Sequence, residues 1–425
     1  MTYSFYIRAF GCQMNSYDTR RISAMLASAG AREVDTPDMA DVIIFNTCYI
    51  REKAASKIYS ELGRLHKSFA RRRRVPVFAV LGCLAKAEGD AVFKRAPFVK
   101  IVLSSRQYHL LGGMIEEALR GERSLNIDVA GLQKFAKLPQ LATADACEFI
   151  QIQEGCDQYC TYCCVPSTRG REECREFDDV MEEARHLASH GAVELNLLGQ
   201  NVGTFPELPR LIREIAEIND VGRIRFTTTH PRTITTELLQ LFAVEPKLMP
   251  LLYLPMQSGS DRILKLMNRK YTAAEYFDIV DRLTTIAPHV RISSDFIVGF
   301  PGEEDSDFEA TLAAIRRVGF IQSFSFIYSP RPGTAAAKMN GQVPLDIKNA
   351  RIAEIQKLLR EQQDKFNRSF IGRDTNVLIT NATEDRGFAG RNEYQQLCLM
   401  NGDFKIGEIV KMKVGHASYA NLRAD

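Results

Sequence analysis

A chain of 425 residues, 45% hydrophobic and 25% charged, has the balance of a folded globular protein and is too long for one ordinary core, so roughly two to four domains are expected. A net charge of +3 is too small to argue nucleic-acid binding by itself, and no apolar run approaches the ~20 residues that cross a bilayer. The start of the chain lacks a basic segment followed by a continuous apolar stretch, which predicts a cytoplasmic address with no membrane partner; in that compartment ten cysteines suit metal or catalytic use better than disulfides.

Residues 1–130 alternate short apolar strands with amphipathic helical stretches, the pattern of an α/β domain built on a parallel sheet. Strand candidates at 3–10, 41–46 and 75–81 are each followed at once by a cysteine: Cys12, Cys48 and Cys83. The carboxyl ends of parallel strands form the ligand edge of such sheets, so these distant thiols are candidates for one site. Buried core thiols are an equal alternative. The basic run Arg71, Arg72, Arg73 and Arg74 reads either as a solvated loop or as an RNA contact.

A second domain, 142–370, repeats the alternation six times, with strand candidates at 148–154, 193–198, 224–229, 251–255, 292–298 and 324–328. Six β/α units make a partial (β/α)6 barrel with an open side, and its strand-end loops are where chemistry belongs. A long charged helix is predicted over 346–370. From Thr375 onward short alternating runs predict a small β domain of roughly fifty residues, near the lower size limit for independent stability and therefore leaning on its neighbour.

Cys156, Cys160 and Cys163 follow the first barrel strand at C-x3-C-x2-C spacing. Three thiolates can hold three irons of a [4Fe–4S] cluster and leave the fourth open to S-adenosyl-L-methionine (SAM). Buried thiols, or zinc with Cys164 or Cys147 as a fourth ligand, remain open on spacing alone.

The run Cys160-Thr161-Tyr162-Cys163 resembles the hallmark of the radical SAM superfamily. Gly11-Cys12-Gln13-Met14-Asn15, Asn46-Thr47-Cys48 with Arg51-Glu52-Lys53-Ala54, Gly82-Cys83, Glu154-Gly155-Cys156 and Thr168-Arg169-Gly170-Arg171 resemble, in order, the methylthiotransferase family within it. The match continues through Asn196 to Asn201 and Ser293 to Glu303, and Gln13-Met14-Asn15 is similar to the MiaB-like branch.

The resemblance implies a radical SAM methylthiotransferase with two [4Fe-4S] clusters, the second on Cys12, Cys48 and Cys83, and SAM as cofactor. The implied substrate is the isopentenylated adenosine beside the anticodon, methylthiolated at C2; relatives in other branches act on a threonylcarbamoyl-adenosine or a ribosomal-protein aspartate. A tRNA anticodon stem-loop, a flavodoxin or ferredoxin-type electron donor and a monomeric state are implied with it. A non-catalytic iron–sulfur RNA-binding regulator is the competitor of another class.

By the same resemblance Tyr162 sits beside the adenine of SAM, with Gly199, Gln200 and Asn201 at its amino group. Ser294 and Asp295 are assigned to the ribose, and Gly299 shapes the adenosyl pocket. Arg169, Arg171 and Arg331 are substrate or SAM-carboxylate candidates, and an inert aromatic C–H gives no role to an acid/base pair. His230, Gln257 and Ser258 read equally as structural. Residues 371–425 resemble the TRAM domain in a short form, which implies a small RNA-binding β-barrel, and the segment after Asn201 is abbreviated. Cys147, Cys164, Cys174 and Cys398 read as structural.

Overall fold

The computed structural model describes residues 3–49, 52–70, 75–131, 134–135, 139–383 and 387–425; the basic run at 71–74 and Arg51 lie outside them. The chain forms two compact units. One is Met1–Ala142, Gln153–Asp157 and Cys163–Arg175; the other is Thr143–Ile152, Gln158–Tyr162 and Glu176–Asp425.

The first unit is built on a six-stranded sheet of β1 (Ser4–Phe10), β2 (Arg32–Glu33), β3 (Val42–Thr47), β4 (Val77–Gly82), β5 (Val99–Leu103) and β6 (Ser124–Asn126), in the order β2-β1-β3-β4-β5-β6. Every pair is parallel. Strands β3 and β4 are buried along their whole length, as strands covered by helices on both faces must be, which is why they read as near-continuous apolar runs. One face packs Phe45, Phe78 and Val80 against Ile58, Leu62 and Leu65 of the helix Glu52–Ala70. The other packs Ile44, Ala79 and Leu81 against Ile22, Tyr108 and Ile115.

The strand expected at 148–154 is divided. Its first part, β7 (Cys147–Gln151), belongs to the second unit, while β8 (Gln153–Glu154) pairs antiparallel with β9 (Glu173–Cys174) in the first. Gly155 makes the bend after β8: its φ is +81°, and a Cβ there would lie 1.9 Å from the carbonyl oxygen of Arg171, so only glycine fits.

In the second unit β7 continues with β10 (Glu194–Leu198), β11 (Arg223–Phe226), β12 (Leu251–Tyr253), β13 (Arg291–Ser293), β14 (Asp295–Val298) and β15 (Phe324–Ile327). Parallel ladders join β7, β10 and β11, then β12 with β13, and β14 with β15; parallel bridges at Ile224–Leu248 and Gln257–Phe296 link the pieces. Strands β13 and β14 are one expected strand, 292–298, interrupted at Ser294. This is the expected partial barrel of six β/α units. The helix Leu345–Arg368 follows, and then β16 (Asp374–Ala382), β17 (Gly387–Asn392), β18 (Leu397–Asn401), β19 (Ile409–Ala417) and β20 (Leu422–Ala424) close a five-stranded barrel.

The small barrel does lean on its neighbour. Arg223, at the start of β11, donates to the carbonyls of Arg391 (2.7 Å) and Asn376 (2.8 Å), and Arg225 donates to those of Glu393 (2.9 Å) and Asn392 (3.0 Å). Glu194 lies between them, accepting from Arg225 at 3.0 Å and standing 3.8 Å from Arg223, so the two buried cations share one carboxylate and the backbone carbonyls take their other donors. Among the described residues no helix is long and apolar enough to cross a membrane.

Candidate functional site

Cys12, Cys48 and Cys83 stand directly beyond the carboxyl ends of β1, β3 and β4, three neighbouring parallel strands whose last residues are in register, Phe10 with Thr47 and Thr47 with Gly82. Adjacent strands run about 4.8 Å apart, so register alone draws three distant cysteines onto one edge. Glycines let the backbone close in. A Cβ at Gly11 would sit 2.3 Å from Cβ of Cys48; Gly82 has φ +89°, and a Cβ there would meet the Asn46 side chain at 2.6 Å.

A polar web under the thiols holds this edge. Asn15 Nδ2 donates to Asn46 Oδ1 (3.0 Å), Tyr108 OH donates to the same oxygen (3.0 Å), and Asn46 Nδ2 donates to Thr19 Oγ1 (3.1 Å). The Cys12 thiol is within hydrogen-bonding reach of Cys48, which is the main cause that lowers it to about 6 against the opposing effect of burial; the charge of Arg169 adds to the lowering. Burial pushes the Cys83 thiol up, and Arg169 opposes that.

The donor set fits an iron–sulfur cluster: three soft thiols on separate strand ends, one already inclined to ionise, in a buried polar setting. Among the described residues no group of three or more His, Cys, Asp or Glu side chains is drawn tightly enough to hold one metal ion. Thiolates that each bind a different iron have no need to converge that closely.

Arg169 is the first correction. Placed by sequence at substrate or SAM, its side chain is only 2% exposed, and its three kinds of nitrogen are spent inside the first unit. Nε donates to Cys83 Sγ (3.3 Å), Nη1 to Glu154 Oε1 (3.0 Å) and Nη2 to Asp18 Oδ2 (3.1 Å). Lys134 Nζ binds the same two carboxylates, Asp18 at 2.8 Å and Glu154 at 2.7 Å. Burial alone would raise the Glu154 carboxyl, but Lys134 and then Arg169 override it and hold it down at about 2. Sequence reading missed Asp18, Lys134 and Glu154 as a network, because nothing local marks side chains 116 positions apart as partners.

The loop carrying Cys156, Cys160 and Cys163 is divided between the units. In the first, the Cys156 N–H donates to the Gly170 carbonyl (3.3 Å), and the Val165 N–H donates to Cys163 Sγ (3.4 Å). In the second, Arg269 Nη1 donates to Cys160 Sγ (3.5 Å) while its Nη2 donates to the Pro255 carbonyl (3.0 Å). Thr161 is pinned to the Leu266 and Met267 carbonyls at 2.9 and 3.1 Å. Tyr162 packs edge-on to Phe300, beside Ile263, Met267 and Tyr328.

Of the remaining candidates, Gly199, Gln200 and Asn201 follow β10 at its carboxyl end. Asn201 Oδ1 accepts from the His230 N–H (3.0 Å) and from Thr233 Oγ1 (3.3 Å), tying two strand-end loops together. Ser294 is the second correction: it is wholly buried and its hydroxyl accepts from the Met256 N–H (2.8 Å), which leaves it closed to a ribose. Asp295 accepts from Tyr253 OH at 2.5 Å. Gly299, at φ +68°, makes room for the Lys348 side chain, which a Cβ would meet at 2.3 Å.

Gln257, at φ +72°, is part of the parallel bridge to Phe296, and Ser258 Oγ contacts Thr311 Oγ1 at 3.2 Å; both are structural. Burial, then Arg269, pushes His230 down to about 3, so it is neutral; its Nδ1 accepts from the Arg232 N–H, which assigns the proton to Nε2. Arg171 is 82% exposed, with Asp157 at 3.7 Å. Arg331 is half-buried, its carbonyl accepting from Thr334.

Cys147 is bound by Asn196 and Glu194, and burial pushes its thiol well above the ordinary range; Cys164 is in the first unit's core; Cys398 is pushed up to about 12 by burial. Cys174 lies in β9.

The family model for the radical SAM superfamily matches residues 150–315, and that of the uncharacterized protein family UPF0004 matches residues 4–104. The chain is 44% identical to the tRNA-2-methylthio-N(6)-dimethylallyladenosine synthase of Anaplasma marginale (strain St. Maries), over 93% of this chain and 90% of that protein. It is 42% identical to the synthase of the same name from Erythrobacter litoralis (strain HTCC2594), over 99% and 96%. Among solved structures it resembles the radical S-adenosylmethionine methyltransferase TsrM from Kitasatospora setae, with a TM-score of 0.61 over 79% of this chain and 77% of that one. At 13% identity this is a likeness of fold alone. By its near full-length identity to the curated synthases, this chain belongs to the family of tRNA-2-methylthio-N(6)-dimethylallyladenosine synthases, radical SAM enzymes with an amino-terminal UPF0004 domain.

Proposed function

We propose that the chain adds a methylthio group to C2 of an isopentenylated adenosine beside the anticodon of tRNA; its relatives are named tRNA-2-methylthio-N(6)-dimethylallyladenosine synthases. The observation that carries this reading is the in-register gathering of Cys12, Cys48 and Cys83 in a protein that separately carries Cys156, Cys160 and Cys163 in the C-x3-C-x2-C loop. Each triad would hold one [4Fe–4S] cluster through three irons and leave one iron for an outside ligand: SAM at the loop, sulfur at the strand ends. Bound there, the clusters and SAM supply the one-electron and sulfur-transfer chemistry that no side chain of this protein can.

The chain's own part is holding and excluding. Tyr162, fixed against Phe300, offers a ring face or edge for an adenine; Gly199, Gln200 and Asn201 follow the carboxyl end of β10, Gly299 that of β14, and Asp295 opens β14, where SAM's polar groups would be met. Arg171, which is exposed, and Arg331, after β15, would meet phosphate, whereas the buried Arg169 would not. A target base in an anticodon loop has to leave its stack to be reached, and the small barrel is read as a TRAM-type grip on the RNA. A flavodoxin or ferredoxin-type donor, cytoplasmic location and a monomer complete the reading.

Anaerobic turnover with reductant and SAM on isopentenylated tRNA, followed by mass analysis of the digested nucleosides, tests substrate and reaction together. A gain of one methylthio group on the isopentenylated adenosine is the expected result. An untouched nucleoside, with thiomethylation of threonylcarbamoyl-adenosine in a parallel reaction, would reject it.

A further inference from the structure

Arg169 ends a short helix, Val165–Arg169, that starts two residues after Cys163 and packs on the helix Cys83–Glu88. Both helices belong to the first unit. The guanidinium faces the cysteine edge with its two terminal nitrogens fastened to Glu154 and Asp18, and Lys134 fastens the same carboxylates from the other side. All four side chains are within 2% of complete burial. Two cations and two anions cancel in sum, and Arg169 is the member that touches the sulfur, so its charge and one oriented N–H act there together. A planar guanidinium held at both terminal nitrogens cannot swing, and this fixes the direction of its Nε–H toward Cys83 Sγ at 3.3 Å.

We propose that Arg169 is a positioning residue for the auxiliary cluster: its Nε–H bond to the Cys83 thiolate fixes that ligand and raises the reduction potential of the cluster. This rests on the reading that Cys12, Cys48 and Cys83 hold a [4Fe–4S] cluster. A hydrogen bond to a ligating thiolate draws charge from sulfur and favours the more negative, reduced state, so its loss lowers the potential. Lysine in place of Arg169 keeps the cation between Asp18 and Glu154 but lacks the rigid fork that serves both carboxylates and the sulfur at once.

The experiment compares anaerobically prepared full-length wild type with Arg169→Lys, by iron counting and by redox titration followed by electron paramagnetic resonance. About eight irons are expected in each. The midpoint of the auxiliary cluster should fall enough to change its oxidised-to-reduced ratio about tenfold at fixed poise, about 59 mV for one electron, while that of the other cluster stays put. Loss of only the auxiliary irons from a variant with unchanged circular dichroism would also support the proposal. An unchanged midpoint overturns it.

Wild type that holds only about four irons, and keeps them when Cys12, Cys48 and Cys83 are all replaced by alanine, refutes the auxiliary-cluster reading instead. Should Arg169→Lys fail to fold, wild type labelled with 15N in arginine alone decides. The reduced auxiliary cluster must then show a 15N coupling to its electron spin, and absence of that coupling overturns the assignment.

Discussion

The two cysteine triads are assembled by opposite routes. Cys156, Cys160 and Cys163 lie within eight positions on one loop, whereas Cys12, Cys48 and Cys83 each stand at the end of a different strand and meet only because β1, β3 and β4 pair in register. A buried arginine donates to one sulfur of each, Arg169 to Cys83 and Arg269 to Cys160, but the two cations are met differently. Arg169 is held by carboxylates, while Arg269 is met by the Pro255 carbonyl and by the hydroxyl and ring of Tyr271. A local motif can be supported lightly; a triad assembled by the fold depends on a buried ionic lock to keep its parts together.

The contrast can be broken most severely by removing one triad at a time. Replacing Cys12, Cys48 and Cys83 together with alanine should abolish C2 methylthiolation and leave about four irons, with reductive SAM cleavage intact. The matching change at Cys156, Cys160 and Cys163 should end cleavage as well. Methylthiolation surviving the first replacement would end the two-site reading.

Next in size is the ionic lock. Glu154→Gln leaves Arg169 and Lys134 sharing one carboxylate in a dry interior, and a loss of about 3–5 kcal/mol is expected in chemical denaturation of the first unit. A loss under about 1 kcal/mol would mean that the network is dispensable. Gly82→Ala forces a side chain into positive φ against Asn46, and roughly 1–3 kcal/mol should go with it, together with weaker iron retention at the strand edge.

The mildest change is Arg171→Ala. Its exposed guanidinium predicts stability unchanged within about 0.5 kcal/mol, while the salt dependence of tRNA binding should lose about one unit of slope. A slope equal to that of wild type would remove Arg171 from the RNA surface.

What could be read from sequence follows the same division. Local signals survived: strand, turn, cysteine and glycine placed Cys12, Cys48 and Cys83 at one sheet edge, and six alternations gave the partial barrel. The long helix expected at 346–370 is Leu345–Arg368. Signals that depend on distant partners did not survive. Arg169 sits in a run that reads as a basic loop, and only burial beside Asp18 and Lys134 reveals it as an internal cation. Ser294 sits where a ribose contact was expected, but the break between β13 and β14 turns its hydroxyl to the backbone. The departure of β8 from the barrel was equally hidden, because its partner β9 has only two residues and no alternation to announce it.

The docking of the small barrel through Arg223 and Arg225 has a geometric consequence for whatever that barrel grips. Arg223 starts β11 and Arg225 is the third of its four residues, so the attachment begins at the amino-terminal edge of the parallel strands, one four-residue strand, roughly 13 Å, from the loops at the opposite edge. A single nucleotide cannot touch both edges. A folded stem with its loop can, so a barrel that grips RNA would turn this distance into a measuring rod, favouring a substrate of the right reach before any atom of the base is inspected.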